Sequence, residues 1–129
     1  MSFKSAKKRT PLIMVVEDDP DSMEVLLGRL RTEHLNYVSF RSAEDAIQAL
    51  RVNLPALLIT DIRLPGQSGF DILEFLRTNP LSQSVPAIAI SAHHSDEMEA
   101  HSLMLGFNYV LSKPINGRQI LGYIHQLIG

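Results

Sequence analysis

The stretch LIMVVEDDP, residues 12–20, joins a short apolar run to three consecutive acidic residues and a proline. The apolar run has the length of a fully buried strand. Asp19 suits the N-cap of a following helix, and Pro20 suits the first helical position because its missing N–H would have no partner there. The next apolar residues recur at helical spacing, at Met23, Leu26, Leu27 and Leu30. The stretch therefore predicts a strand, a turn through acidic residues and a helix.

The same alternation continues to the end of the chain. Four more apolar runs have strand length, at 36–40, 56–60, 85–90 and 107–111. Helical segments separate them, one after Ser42, one through Leu73 and Leu76, one over about 95–105 before Gly106, and one after Asn116. Five strands alternating with five helices predict an α/β fold, a doubly wound parallel sheet with helices on both faces. The run 36–40 has mixed polarity, so we expect it at a sheet edge.

The composition is that of a globular chain of one-domain size. Of its 129 residues, 45% are apolar and 20% are charged, which excludes a disordered chain. The net charge of −2 argues against nucleic acid as a partner of the whole domain. The chain has no cysteine, which excludes disulfides, thiolate catalysis and cysteine-based zinc sites and favours a reducing compartment.

Neither end of the chain suggests a membrane segment. No stretch approaches the ~20 apolar residues of a bilayer span, so we expect a soluble, cytoplasmic protein without membrane contact. The apolar run that follows the basic N-terminus is too short for the core of a signal peptide. We expect residues 1–10, which carry Lys4, Lys7, Lys8 and Arg9, to form a flexible tail and residues 11–129 to form the domain.

Carboxylates close two of the predicted strands. Glu17 and Asp18 follow the first apolar run, and Asp61 follows the run at 56–60. In an open parallel sheet the carboxyl ends of neighbouring strands face one crevice, where such sheets bind ligands. Carboxylates that close repel one another unless a proton or a cation lies between them. Oxygen ligands with room for water favour Mg²⁺.

Two further strand ends add a hydroxyl group and an ammonium group. Ser91 follows the run at 85–90, and Lys113 lies just beyond the run at 107–111. A carboxylate nucleophile, a divalent cation, a fixed lysine and a hydroxyl donor are the groups that phosphoryl transfer requires. We predict that Asp61 attacks phosphorus. Mg²⁺ and Lys113 would neutralise charge on the phosphoryl oxygens, and Ser91 would donate a hydrogen bond to one of them.

Four motifs at these strand ends resemble those of the response-regulator receiver domain of two-component signalling. They are VVEDDP at 15–20, TDIRLPGQSG at 60–69, ISA at 90–92 and LSKP at 111–114. Each motif alone is weak, but four in order, each at the end of a predicted strand, make a specific signal. The resemblance covers the chain from about Leu12 to Ile128 and implies the flavodoxin-like (βα)5 fold with strand order 2-1-3-4-5.

The resemblance implies a role for each acidic residue of the site. Asp61 would be the phosphoacceptor. Glu17 and Asp18 would be metal-site acids, and Mg²⁺ would also be bound by the backbone carbonyl of Arg63, two residues past the phosphoacceptor.

The other strand ends also match the family. Ser91 stands where receivers have Ser or Thr, and Lys113 is the pairing lysine, followed by a Pro114 whose peptide bond is usually cis in such proteins. The implied protein is a phosphoacceptor and not an enzyme, beyond self-phosphorylation and autodephosphorylation. A histidine kinase or histidine phosphotransfer protein would be the donor, and a downstream protein target would bind with changed affinity.

One position departs from the family. Receivers usually carry a Tyr or Phe three residues before the pairing lysine, and its rotation reports phosphorylation. This chain has Val110 there and an aromatic residue one position earlier, at Tyr109. In a strand, a shift of one residue places the ring on the opposite face. The usual aromatic relay is therefore not expected.

Three other interpretations fit the sequence less well. A phosphatase of the haloacid-dehalogenase kind needs a second acid two residues after the nucleophile, where this chain has Arg63. A receiver-like interaction module working without phosphate is suggested only by Val110. A zinc site at His93, His94 and His101 is disfavoured because no carboxylate shell accompanies the histidines.

Overall fold

The predicted alternation of strands and helices is present in the structure, a computed structural model that describes residues 11–129. The tail predicted for residues 1–10 lies outside the described residues. The strands are β1 (Leu12–Val16), β2 (Asn36–Phe40), β3 (Leu57–Asp61), β4 (Ala87–Ser91) and β5 (Tyr109–Ser112). The helices are α1 (Pro20–Thr32), α2 (Ala43–Leu50), α3 (Gly69–Thr78), α4 (Asp96–Leu105) and α5 (Gly117–Ile128).

The five strands form one parallel sheet in the order β2-β1-β3-β4-β5. This confirms the predicted fold class, the strand order and the edge position of the run 36–40. Every residue of β3 and β4 is buried, as expected for parallel strands with helices on both faces. Among residues 11–129, no helix is both long enough and apolar enough to cross a bilayer.

Alternate residues of each strand point to opposite faces of the sheet and contribute to two cores. The core beneath α2 and α3 contains Met14, Val16, Ala46, Leu50, Leu58, Ile72, Leu73, Leu76, Ala87 and Ala89. The core beneath α1 and α5 contains Ile13, Val15, Leu26, Leu30, Leu57, Ile59, Ile88, Ile90, Ile120 and Ile124. The apolar stripe predicted from the sequence for α1 therefore packs against the sheet, as does the apolar face of α5.

The helix ends follow the capping residues seen in the sequence. The Asp19 carboxylate accepts a hydrogen bond of 2.8 Å from the Ser22 N–H at the start of α1. Ser42 and Asn116 cap α2 and α5 in the same way. Gly106 ends α4 with φ of 124°, a conformation that glycine adopts without a steric penalty. The N-caps fix where α1, α2 and α5 begin, and Gly106 fixes where α4 ends.

Three strands lie one or two residues further along the chain than predicted. β3 includes Asp61 and β4 includes Ser91, because backbone pairing continues through polar residues, as in the register of Asp61 with Ile90. Val85 instead donates its N–H to the Ser82 carbonyl in a turn. Phe107 donates to the Ser102 carbonyl at the end of α4, so it belongs to that helix terminus. The predicted bounds rest on apolar character, which does not mark where the backbone pairing of a strand ends.

Candidate functional site

The carboxyl ends of β1 and β3 bring three acidic side chains together. One carboxylate oxygen from each of Glu17, Asp18 and Asp61 lies within 4.8 Å of the other two. Glu17 is 2% exposed and Asp61 is 5% exposed, so two of the three carboxylates are inside the protein. The acidic pocket predicted from the two strand ends is therefore present, because β1 and β3 are neighbours in the sheet.

Lys113 places its ammonium group between two of these carboxylates. Its Nζ lies 2.7 Å from Asp61 Oδ2 and donates a 3.1 Å hydrogen bond to Glu17 Oε2. Its backbone N–H donates to the Ser91 carbonyl, which continues the pairing of β5 with β4 past the end of the strand. The Lys113–Pro114 peptide bond is cis, as the resemblance implied. Two strand ends thus position this one cation.

The second oxygen of Asp61 is held by the backbone. Asp61 Oδ1 accepts a hydrogen bond of 2.9 Å from the Arg63 N–H, a contact that the sequence did not indicate. Both oxygens of the carboxylate therefore have a donor, one from the main chain and one from Lys113. The backbone carbonyl of Arg63 as a metal ligand stays a prediction.

Burial and charge shift the ionisation of two site residues in the same direction. Burial is the largest effect on Glu17 and raises the pKa of its carboxyl group, although the hydrogen bonds from the Asp19 N–H and Lys113 oppose it. Burial alone would lower the pKa of Lys113, but its hydrogen bonds with Asp61 and Glu17 outweigh this and raise it. Lys113 therefore remains a cation at neutral pH.

The pocket also has the donor set of a divalent cation site. Glu17 Oε1 is buried and accepts no hydrogen bond, and its partner is the ion pair with Lys113 Nζ, 3.0 Å away. This oxygen is compensated by an ion pair alone, so it still has lone pairs that a metal ion or a water can use. The three converging carboxylates offer oxygen ligands only, which fits Mg²⁺.

Ser91 lies next to Asp61 on the same rim. It ends β4, is 1% exposed, and follows the residue that pairs with Asp61 in the sheet register. Its Oγ accepts a hydrogen bond of 3.1 Å from the His93 N–H. The hydroxyl proton therefore remains available as a donor.

The departure at the aromatic position is confirmed by the packing. Val110 packs in the core beneath α2 and α3, whereas Tyr109 packs on the opposite face. The Tyr109 ring stacks on Tyr123 of α5, with centroids 3.9 Å apart, and its hydroxyl donates a 2.5 Å hydrogen bond to Gln126. Tyr109 thus joins β5 to α5 and does not lie beneath the site.

The histidine residues do not form a zinc site. His94 Nε2 lies 2.9 Å from a Glu99 carboxylate oxygen, and the His101 ring packs edge-on against Phe70 at 5.5 Å. Within the part of the chain that the structure describes, the acidic pocket is the only group of three residues able to hold a metal.

A glycine of the motif at 60–69 also shapes the site. Gly69 is the first residue of α3, and a Cβ there would lie 2.4 Å from the Asp61 carbonyl oxygen. Ser68 and Asp71 form a capping box at the same helix end. The spacing Ser-x-x-Asp was the available signal for this helix start. The close approach at Gly69 had no local signal.

Comparison with known proteins agrees with this geometry. The family profile described as "Response regulator receiver domain" matches residues 13–125. An uncharacterised 14.6 kDa protein in the sodA1 3′ region of Leptolyngbya boryana is 32% identical over 88% of this chain and 87% of its own length. The transcriptional regulatory protein CssR of Bacillus subtilis is 33% identical over 90% of this chain, which spans only 50% of CssR.

Solved structures show the same fold. The crystal structure of a putative response regulator from Chloroflexus aurantiacus is 26% identical, with a TM-score of 0.87 over 92% of this chain and 98% of that one. These matches favour the receiver over the dehalogenase-type phosphatase. The profile match over most of the chain, together with carboxylates, a lysine and a serine at the ends of four parallel strands, shows that the chain belongs to the response regulator receiver domain family of two-component signalling.

Proposed function

We propose that Asp61 accepts a phosphoryl group from a phosphohistidine of a histidine kinase or histidine phosphotransfer protein. The observation that carries this proposal is the placement of its carboxylate. Asp61 is buried at the end of β3, with one oxygen on the Lys113 ammonium and the other on the Arg63 N–H. The two contacts hold the carboxylate in place at the end of β3, and a carboxylate is the nucleophile in aspartyl-phosphate chemistry.

In this reaction the phosphoryl group moves from a nitrogen of the donor histidine to an oxygen of Asp61. An Asp61 carboxylate oxygen forms the new P–O bond while the P–N bond to the donor imidazole breaks. The electron pair of that bond returns to the imidazole nitrogen. Lys113 offsets negative charge on the phosphoryl oxygens. The Ser91 hydroxyl, whose oxygen accepts from the His93 N–H, can donate a hydrogen bond to one of them.

Glu17, Asp18, Asp61 and the Arg63 carbonyl would hold Mg²⁺. When bound, the cation supplies positive charge that stabilises the phosphoryl oxygens. Glu17 has a further role of its own, because its Oε2 accepts from both Lys113 and the Asp19 N–H. It therefore fixes the lysine and the start of the turn that leads into α1.

The output of the domain is a change in affinity for a protein target. The surface proposed for it is formed by β5 and its neighbouring helices α4 and α5. Tyr109 offers a connection from β5 to α5 through its contacts with Tyr123 and Gln126, in place of the aromatic residue that Val110 replaces. The chain would then act as a signalling domain without a turnover substrate of its own.

Incubation with Mg²⁺ and a small phosphodonor such as acetyl phosphate, followed by intact-protein mass measurement, tests the proposal. We expect a gain of one phosphoryl mass, and its loss when EDTA is present throughout. An unchanged mass with several donors would instead favour a receiver-like interaction module that works without phosphorylation.

Mg²⁺ is expected to stabilise the protein, because it relieves repulsion among the three carboxylates and can bind the Glu17 oxygen that accepts no hydrogen bond. With free Mg²⁺ ~100-fold above its dissociation constant, the free energy of unfolding should rise by about 2.7 kcal/mol. Urea denaturation at several Mg²⁺ concentrations measures this gain. Asp18→Asn should respond much less, and the matched control Asp45→Asn, an exposed acid of α2, should respond like the wild type. Equal responses in Asp18→Asn and the wild type would contradict the assignment of Asp18.

A further inference from the structure

β2 is an edge strand of the sheet. β2 pairs with β1, and no other strand of residues 11–129 pairs with its second side. Proteins commonly protect such edges with charged side chains, prolines or bulges, because the edge backbone groups can pair with another chain. β2 has none of these, since its sequence NYVSF is uncharged and its five residues pair one for one with β1.

One hydrogen bond shows which backbone groups face outward. The Phe40 carbonyl accepts a hydrogen bond of 3.0 Å from the Glu17 N–H at the end of β1. The backbone groups of a strand alternate in direction, so those of Val38 also face β1. The N–H and C=O groups of Tyr37 and Ser39 therefore point away from the sheet.

Apolar surface adjoins these outward groups. A groove of about 240 Å³ is lined by Val38 and Phe40 of β2 and by Val52 and Pro55 beyond α2. Val52 is 78% exposed, which is unusual for a valine beside a core. One added strand would satisfy the outward backbone groups and would also cover part of this apolar surface.

We propose that β2 pairs with β2 of a second copy of this chain, antiparallel and centred on Val38. In this register Tyr37 of each copy lies opposite Ser39 of the other, and each such pair exchanges both N–H···O bonds. The two Val38 residues form the close, non-hydrogen-bonded pair between them, with their side chains on the groove side. The result is one continuous sheet across the dimer.

The pattern favours a second copy over another segment as the partner. Because the central residue faces inward and its two neighbours face outward, β2 is complementary to itself in the antiparallel direction. The five residues of β2 carry no charge, so two identical strands place no like charges directly opposite each other. Arg31 of α1, which donates to the Tyr37 hydroxyl, is itself paired with Glu24. A pair of five-residue strands contributes less than the ~1,600 Å² of a standard stable interface, so the association should be weak and concentration-dependent.

Sedimentation equilibrium tests the proposal. The average mass of the wild type should rise with concentration from 14.4 kDa towards twice that value. Ser39→Pro removes an outward N–H without touching the pairing with β1, and Ser39→Lys adds an edge charge; both variants should stay monomeric. Met104→Gln, which changes an 83% exposed side chain of α4, should dimerise like the wild type.

Amide hydrogen exchange provides a second readout with internal controls. The amides of Tyr37 and Ser39 should exchange more slowly as concentration rises, whereas those of Val38 and Phe40 should be protected at every concentration. The proposal would be overturned if the wild type stays monomeric or if both Ser39 variants still dimerise. It would also be overturned if the exchange rates of the Tyr37 and Ser39 amides do not change with protein concentration. None of these results depends on phosphorylation of Asp61.

Discussion

Asp61→Asn is expected to abolish uptake of a phosphoryl group from any donor. An amide is a poor nucleophile and a weaker metal ligand than a carboxylate, so both the attack on phosphorus and the affinity for Mg²⁺ suffer. The change is nearly isosteric, and the amide oxygen can still accept the hydrogen bond that the Arg63 N–H donates to Asp61 Oδ1. Loss of uptake would therefore report chemistry and not a displaced turn.

Gels that separate phosphorylated from unphosphorylated protein, together with intact mass, measure this effect. Asp96→Asn supplies the matched control, because Asp96 is an exposed aspartate in the first turn of α4 and should leave uptake unchanged. Thermal melts of both variants would show that each is folded. If Asp61→Asn still gains a phosphoryl group in normal yield, another residue must be the acceptor.

Gly69→Ala is expected to have the largest effect on stability. The added Cβ would lie 2.4 Å from the Asp61 carbonyl oxygen and 3.0 Å from the Ile62 Cα. Both obstacles are backbone atoms of a buried strand end, so neither can swing aside as a side chain would. We expect the free energy of unfolding to fall by about 3 kcal/mol, near the upper end of overpacking effects. The start of α3 would also move relative to Asp61.

Urea denaturation without Mg²⁺ measures this loss separately from metal binding. Gly28→Ala is the matched control, because Gly28 is inside α1 and a Cβ there would meet no atom within 4 Å. It should gain about 0.5–1 kcal/mol, since alanine loses less conformational freedom than glycine in a helix. If Gly69→Ala has the same free energy of unfolding as Gly28→Ala, the close approach of residue 69 to the Asp61 carbonyl would be contradicted.

Several parts of the site follow from short stretches of sequence. The acids after β1, Asp61 at the end of β3 and Ser91 at the end of β4 were all predicted from the polar residues that close apolar runs. Such predictions succeed because strand periodicity and helix caps depend on neighbours in the chain. Boundaries were less accurate, since the ladder of β4 includes Ser91 and excludes Val85.

By itself, the sequence determined the α/β fold, the edge position of β2, and which chemical groups lie at the strand ends. Only the tertiary structure decided how those groups meet. Lys113 contacts Glu17 across 96 positions of the chain and Asp61 across 52, and one Glu17 oxygen is left without a hydrogen bond. These contacts, like the fit of Gly69 against Asp61, depend on distances between segments that no local pattern encodes, because packing of the whole sheet and its helices sets them.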